Sequence, residues 1–239
     1  MTENPKKLHR RSSSQQEIST FLQKVAVTPV KNPRKNRGRL IFALDATASR
    51  EPTWDRACHI QGQMFAETAE LGGLSIQLCY YRGYKEFSVS PWLSRSSDLL
   101  KRMTAVNCQG GYTQIEKVLR HTLDETRRRK VNAMVFVGDC MEEQAELLFQ
   151  LAGELGIHGV PVFLFHEGHE QNAERAFRQI ARLTQGAYCR FSTTSAQRLK
   201  DLLNAVAVYA AGGHRALERF AHRKGEPIKQ LMHQVGKSS

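Results

Sequence analysis

A short apolar segment at residues 40–44 is the feature that most constrains the fold of this chain. Its sequence, Leu-Ile-Phe-Ala-Leu, contains no polar side chain. A continuous apolar run of this length is typical of a strand that is buried on both faces of a parallel sheet. Parallel strands are joined by crossover connections, which are usually helices, so this segment favours an α/β fold.

The rest of the central region alternates between strand-like and helix-like patterns. The triplet at residues 82–84 predicts a tight turn, which would make the segments on either side of it an antiparallel hairpin at a sheet edge. The alternation of the other strands with helices predicts a doubly wound, mostly parallel sheet with helices on both faces. We expect strands at 74–81, 86–89, 131–137, 160–165 and 187–191, and helices at 53–71, 99–103, 114–130, 142–156, 172–183 and 196–211.

The net charge of +12 is concentrated at the two ends of the chain. Residues 1–38 carry nine Lys/Arg against two Glu, which gives +7, and residues 212–239 carry six against two Glu, which gives +4. Residues 39–211 carry 20 Lys/Arg against 19 Asp/Glu, which gives +1. We therefore predict a disordered basic N-terminal arm, a folded domain over 39–211 and a partly helical basic C-terminal tail. Such ends are either solvated or hold nucleic-acid phosphates by charge.

Composition also narrows the class of protein. No apolar run approaches the roughly 20 residues of a membrane span, and the N-terminus has no apolar signal region, so we expect a cytoplasmic protein without membrane contact. The five cysteines are odd in number, are widely spaced and form no Cys-x-x-Cys pair. This pattern favours buried thiols over disulfides or a zinc site. The cysteines are Cys58, Cys79, Cys108, Cys140 and Cys189.

Three oxygen-bearing side chains follow the apolar segment at a spacing of two residues: Asp45, Thr47 and Ser49. If the chain stays extended there, all three project to one side. A carboxylate and two hydroxyls are hard donors, which suit Mg²⁺, Mn²⁺ or Ca²⁺ rather than zinc or copper. The alternative is a polar turn that caps the next helix, because Asp, Ser and Thr are common in turns and N-caps.

Two more polar side chains are predicted at the same edge of the sheet. Thr113 follows Gly110-Gly111, two glycines that permit a close backbone approach, and Asp139 follows the strand predicted at 131–137. Ligands of open α/β sheets bind at the carboxyl ends of the strands. Each residue has a plainer interpretation, as part of an ordinary loop or a cap. His166 and His169 are predicted in a polar loop, and their order does not match the His-Glu-x-x-His motif of a zinc hydrolase.

Taken together, these segments resemble the metal-ion-dependent adhesion site of a von Willebrand factor A (vWA) domain. The resemblance covers about residues 39–211 and implies a Rossmann-like vWA fold. It also implies that hydroxyls and carboxylates coordinate Mg²⁺, or Mn²⁺ or Ca²⁺, with the two aspartates acting directly or through water. Two positions depart from the usual pattern, which has Ser at position 47 and often Thr-Asp-Gly around Asp139. The implied metal ligands are Asp45, Thr47, Ser49, Thr113 and Asp139.

The resemblance implies a cation-dependent protein-binding module and not an enzyme. An acidic residue of a partner, such as an AAA-type ATPase or another member of an intracellular multi-protein complex, would complete the metal coordination. A haloacid-dehalogenase-like phosphohydrolase is an alternative, but it needs a second aspartate where Thr47 stands. Nucleic-acid binding through the basic tails is another, since the RNA-binding Ro protein and the DNA-end-binding Ku protein share the fold. Nucleotide-binding glycine motifs are absent from the sequence.

Overall fold

The computed structural model describes residues 20–21, 24–25, 38–51, 74–191 and 203–212. Within these residues, six strands form one sheet. The strands are β1 (Gly38–Asp45), β2 (Leu74–Arg82), β3 (Glu86–Val89), β4 (Ala133–Gly138), β5 (Val162–Glu167) and β6 (Ala187–Phe191). Four α-helices accompany the sheet, α1 (Ser96–Thr104), α2 (Ile115–Arg128), α3 (Ala145–Ile157) and α4 (Gln171–Leu183), and residues 203–212 are also helical.

The sheet has the strand order β3-β2-β1-β4-β5-β6. β1 lies at its centre and pairs in parallel with both β2 and β4. β5 and β6 continue the parallel arrangement, whereas β3 pairs antiparallel to β2 at the edge. Gly83 adopts a φ of 55° in the turn between β2 and β3, a conformation that glycine tolerates well. The mostly parallel sheet with one antiparallel edge hairpin is thus confirmed.

The side chains of β1 divide the core into two clusters because successive residues of a strand point to opposite faces. Leu40, Phe42 and Leu44 lie in one cluster with residues of α1 and of the helical segment 203–212. Ile41 and Ala43 lie in the other cluster with residues of α2, α3 and α4. Every one of these five β1 residues has no exposed surface. The expected helices on both faces are therefore present.

The amino end of β1 is fixed by a buried arginine. Arg39 is 6% exposed, and its Nη2 lies 2.6 Å from Glu125 Oε2 of α2. The guanidinium also stacks over Trp92, 3.8 Å from the ring centroid, and Trp92 Nε1 donates to Glu125 Oε2 at 3.0 Å. With Arg128 Nη1, which lies 3.0 Å from Oε1, the carboxylate receives three donors, and these offset much of the desolvation that burial of a charge requires.

Several predicted boundaries shift by a few residues, and some lie outside the described residues. β5 extends to Glu167, two residues beyond the predicted strand end, while α3 begins at Ala145 instead of residue 142. The helix predicted at 53–71, most of both basic ends and the first part of the helix predicted at 196–211 lie outside the described residues. Within the part of the chain that is described, no helix is long and apolar enough to cross a membrane.

The four described cysteines are free thiols, but only two of them are buried as predicted. Cys79 and Cys189 are buried, and Cys108 and Cys140 are partly exposed. Burial raises the pKa of the Cys79 thiol well above its ordinary value, so this side chain is a protonated core residue at neutral pH. Cys58 lies outside the described residues.

Candidate metal centre

The carboxyl ends of β1 and β4 bring two aspartates to one edge of the sheet. Leu44 of β1 pairs with Val137 of β4, so Asp45 lies beside Gly138. Asp139 directly follows Gly138, at the end of β4. A Cβ atom placed on Gly138 would lie 3.4 Å from the Asp45 Cβ, which shows how closely the two backbones approach. Burial is the largest cause that raises the pKa of Asp45, and the charge of Asp139 raises it further. The charge of Asp139 therefore acts on Asp45 at this edge of the sheet.

Asp45 is a buried carboxylate with two hydrogen-bond donors. It has no exposed surface, its Oδ1 accepts from Thr47 N at 2.8 Å, and its Oδ2 accepts from Tyr81 Oη at 3.0 Å. Burial is the main cause that raises the pKa of Asp45, and it outweighs the opposing hydrogen bonds from Thr47 and the charge of Arg50. Ionised Asp45 is thus destabilised by desolvation, and a bound cation would relieve that penalty.

The hydroxyls of Thr47 and Ser49 lie side by side, with their Oγ atoms 3.1 Å apart. The chain does not stay extended through Ser49, because Ala48–Arg50 form a 3₁₀ turn. The turn is closed by Arg50 N, which donates to Thr47 O at 3.1 Å. A tight turn satisfies these backbone groups where the strand ladder ends, and it still leaves both hydroxyls on one side.

Arg50 holds this turn against the ends of three strands. Its side chain is 1% exposed, and its Nε donates to Glu167 Oε2 of β5 at 3.1 Å. Its Nη1 donates to Asp45 O at 3.2 Å and to Val137 O at 3.1 Å. The guanidinium thereby donates to backbone carbonyls at the carboxyl ends of β1 and β4. It also places a positive charge beside Asp45. The sequence analysis missed Arg50, because its partners lie up to 117 residues away.

Thr113 approaches the site but is held by a different loop. The segment that precedes Thr113 is attached to the Asp45 loop, since Gln109 N donates to Ala46 O at 3.0 Å. The Thr113 hydroxyl donates to a Glu143 carboxylate oxygen and accepts from Glu142 N at 2.9 Å. Among the described residues, no hydrogen bond joins Thr113 to the Asp45 loop. Its predicted role as a metal ligand stays a prediction that requires Thr113 to leave Glu143.

Tyr81 links these segments electrostatically. It is fully buried, and β2 places it directly opposite Asp45 in the parallel register. Burial is the main cause that raises its pKa, and the charges of Asp45, Glu143 and Asp139 raise it further. Three carboxylates from separate segments thus act on one phenol. The pairing register of β1 and β2 places Tyr81 next to Asp45, whereas metal-ligand motifs in the sequence do not include a tyrosine at this position.

Asp139 supplies the clearest sign of a missing partner. Its Oδ1 is buried and has no hydrogen-bond partner among the described residues. Buried carboxylate oxygens are nearly always paired with a donor, a water or an ion. No group of three or more His, Cys, Asp or Glu side chains within the described residues is placed to hold a metal. A cation here would therefore need the hydroxyls as well as the two aspartates, which is the donor set that hard divalent ions accept.

His166 is a buried strand residue and not the loop residue that was predicted. It lies in β5 with no exposed surface, where one ring nitrogen is 2.9 Å from Tyr188 Oη and the other is 3.2 Å from Asp139 O. Burial lowers the pKa of His166 to about 4, so its ring is neutral at neutral pH. Both nitrogens are occupied, and His166 therefore positions the Asp139 backbone.

Acidification should destabilise the fold through His166. The unfolded residue binds a proton near its ordinary pKa of about 6.5, whereas the folded residue stays neutral until about pH 4. Its contribution to the free energy of unfolding is therefore full above pH 6.5 and is lost on the way down to pH 4, by up to about 3 kcal/mol. Urea unfolding at pH 7 and pH 4.5 measures the loss. His166→Gln should flatten the pH dependence, while the partly exposed control His158→Gln should not, and equal slopes in all three proteins would contradict the expectation.

The sheet order, the helices on both faces and the oxygen-rich edge define a vWA-type fold. Among solved structures, the chain is similar to the SpRpn10 VWA domain, with a TM-score of 0.56 and 13% identity over 71% of this chain and 95% of that domain. It is also similar to proximal thread matrix protein 1 from the mussel byssus, with a TM-score of 0.53 and 13% identity over 71% of this chain and 45% of the mussel chain. The human COPII-coat protein Sec24c gives a TM-score of 0.51 and 10% identity over 80% of this chain and 33% of its own length.

These similarities concern the fold. No protein-family model matches the sequence, and no curated protein matches it either. The chain spans nearly the whole of the SpRpn10 domain but less than half of the mussel and COPII chains. The shared fold therefore places the carboxyl edge of the sheet, while the chemistry at that edge has to be argued from the residues of this chain.

Proposed function

We propose that this chain is a vWA-type protein-interaction module that binds partners through a divalent cation, preferably Mg²⁺. The observation that carries the proposal is the buried Oδ1 of Asp139, which has no hydrogen-bond partner among the described residues. Asp139 directly follows Gly138, whose backbone lies close to the fully buried Asp45. Two carboxylates at neighbouring strand ends repel each other, and a cation between them would turn that repulsion into attraction.

The donor set favours a hard ion with an incomplete coordination shell. Asp45 and Asp139 supply carboxylates, directly or through water, and Thr47 and Ser49 supply neighbouring hydroxyl oxygens. Thr113 would join them after its hydroxyl leaves Glu143. Two carboxylates and neutral hydroxyls do not saturate Mg²⁺, which prefers six oxygen ligands. When bound, the ion supplies a Lewis-acidic position for the carboxylate of an acidic partner residue.

The same residues argue for a binding module over the phosphohydrolase alternative. That chemistry needs a second aspartate as the acid and base, two positions after the first. Thr47 occupies that position, and its hydroxyl lies 3.1 Å from the Ser49 hydroxyl. A hydroxyl of ordinary acidity cannot exchange protons as a carboxyl group does at neutral pH. The two neighbouring hydroxyls are therefore better suited as neutral ligands than as catalysts.

The proposed partner follows from the chemistry of the candidate metal centre and from the resemblance to vWA domains. An exposed Asp or Glu of another protein would provide the missing ligand, and an AAA-type ATPase or another member of a cytoplasmic multi-protein complex is the kind of protein that the vWA resemblance suggests. A second candidate is nucleic acid, which is favoured by one observation: the terminal segments carry +7 and +4 of the total charge of +12. Phosphates would bind these ends by charge and independently of the metal centre.

Removal of the metal tests the proposed function. We expect proteins that copurify with the full chain in Mg²⁺ to be lost in excess EDTA, because the bridging ion is removed, and to return when Mg²⁺ is restored. Mass spectrometry of parallel purifications measures the three states. Retention of the same proteins in EDTA would contradict the proposal, and retention that depends only on salt concentration would favour charge-driven binding by the tails.

A further inference from the structure

Two exposed tyrosines lie beside the candidate metal centre. Tyr84 is 76% exposed in the turn between β2 and β3, and Tyr112 is 63% exposed directly before Thr113. Large aromatic side chains of a folded domain are normally covered, and tyrosine is enriched at the centres of protein interfaces. Both residues therefore mark a surface where a partner gains contact area.

The two loops that carry these tyrosines are fixed against each other. Gly83 N donates to Gln109 O at 3.3 Å, and a Cβ atom on Gly111 would lie only 2.0 Å from Gly83 O. The backbones at Gly83 and Gly111 are thus in direct contact, with Tyr84 and Tyr112 each one residue further along. Gln109 N also donates to Ala46 O at 3.0 Å, which ties both loops to the Asp45 turn. The surface is preorganised, so binding would order few additional groups.

Two lysines, Lys85 and Lys117, lie on the same surface. Lys85 Nζ lies 5.1 Å from the centroid of the Tyr84 ring, and Lys117 Nζ donates to Lys85 O at 2.9 Å and to Gln114 Oε1 at 2.7 Å. Within the described part of the chain, neither ammonium has a carboxylate within ion-pair distance. We name Tyr84, Tyr112, Lys85 and Lys117 the tyrosine rim. Its charge complements an acidic ligand, and its rings complement an apolar one.

We propose that the tyrosine rim binds an acidic peptide segment of the partner, at residues that flank the acid bound to the metal. The segment would carry an aromatic or aliphatic residue against the tyrosines and a further Asp or Glu near the lysines. This inference rests on the proposed function, because the metal-bound carboxylate sets the position of the segment. It adds a sequence preference that a metal bridge alone does not have.

The surrounding charges favour a peptide over a nucleic-acid strand. Single-stranded nucleic acids need a row of cations along a groove as well as aromatic platforms. Here the two lysines are interspersed with acids: Glu86 pairs with Arg82, and Glu142 and Glu143 face Thr113. A chain of phosphates would meet these carboxylates, whereas a short peptide with one or two acids can avoid them.

Peptide selection on the full chain tests the rim. A random peptide library displayed on phage is bound to the immobilised protein in Mg²⁺ and eluted with EDTA. We expect enrichment of peptides that place an aromatic or aliphatic residue within a few positions of an Asp or Glu. A selected peptide, synthesised and labelled, should bind Tyr84→Ala/Tyr112→Ala at least about tenfold more weakly, because truncation of an interface anchor costs about a tenfold loss or more.

Matched variants separate the rim from the fold and from the metal. Tyr84→Phe/Tyr112→Phe keeps the rings and should retain most of the affinity, and Ile157→Ala removes an exposed apolar side chain that is 85% exposed on α3 and should change nothing. A different result would be selected peptides that carry an acid without any apolar preference, bind the alanine variant equally well and are still released by EDTA. That result would contradict the role of the tyrosine rim and leave the proposed function intact. Failure of EDTA to elute any peptide would overturn both. Loss of oligo(dT) binding in the alanine variant, without any peptide selected, would assign the rim to nucleic acid and overturn the inference.

Discussion

Replacing Asp45 with alanine is expected to abolish Mg²⁺-dependent partner capture while the protein stays folded. The substitution removes a fully buried carboxylate that accepts hydrogen bonds from Thr47 and Tyr81 and feels the charge of Asp139. An ion would retain only one carboxylate, and its affinity should fall by about a hundredfold or more, since even outer-shell changes cost ten- to a hundredfold. Thermal unfolding across a Mg²⁺ titration, after EDTA treatment, measures the loss alongside copurification.

Asp45→Asn and Asp124→Ala make this measurement specific. The asparagine can still accept from Thr47 N or Tyr81 Oη but carries no charge, so it should lose the Mg²⁺ response and, without metal, be at least as stable as the native chain. Burial raises the pKa of Asp45, so the charge itself opposes folding. Asp124→Ala changes an exposed acid of α2 and should keep the full response. Saturating Mg²⁺ at a hundred times its Kd should stabilise a binding-competent protein by about 2.7 kcal/mol. An equal response in Asp45→Ala would contradict the site.

Replacing Arg50 with alanine should lower the free energy of unfolding by about 3–5 kcal/mol, because removal of one member of a buried ion pair leaves its partner uncompensated. The guanidinium pairs with Glu167, with 3.0 Å between Nη2 and Oε2, and donates to Asp45 O and Val137 O. The variant would therefore lose contacts to three strands at once. Equilibrium urea unfolding, followed by circular dichroism, measures the change.

Two further variants show whether the effect arises from burial. Arg95→Ala removes an exposed ion pair with Asp98 and should change the free energy of unfolding by less than about 1 kcal/mol, as surface pairs do. Arg50→Ala/Glu167→Ala should cost less than the sum of its two single substitutions, because residues in contact are coupled. A loss below about 1 kcal/mol for Arg50→Ala would show that the pair does not hold the turn, since large effects of single substitutions require a buried mechanism of this kind.

The sheet could be predicted from the sequence, because the residues of its central strands are much more apolar than the segments around them. The apolar runs at 40–44, 131–137 and 160–165 all became central strands, and the turn at Gly83 became the antiparallel edge hairpin. Gly111 proved to be a point of close backbone approach, as its glycine suggested. Strand ends were harder to predict. β5 continues through His166 and Glu167, because a polar side chain can stay in a buried strand when it forms a hydrogen bond there, as His166 does with Asp139 O.

The electrostatics of the candidate site could not be predicted in the same way. No local pattern indicated that Arg50 is buried, because its partner Glu167 is 117 positions away. The Thr113 hydroxyl was expected near the Asp45 loop, whereas Glu143, from the segment after β4, holds it. Such pairs depend on how loops fold over the strand ends, and no local spacing encodes them. The edge on which Asp45 and Asp139 meet was predictable, because all parallel strands end their carboxyl sides together.

Two buried guanidiniums bracket the central strand, Arg39 at its amino end and Arg50 just beyond its carboxyl end. A slip of β1 by one position would turn its apolar side chains to the wrong layers and would break both ion pairs together. Translation of this strand is therefore blocked from either direction. The backbone positions of Asp45 and Asp139 are consequently set by the scaffold, so the proposed centre would accept cations according to their radius.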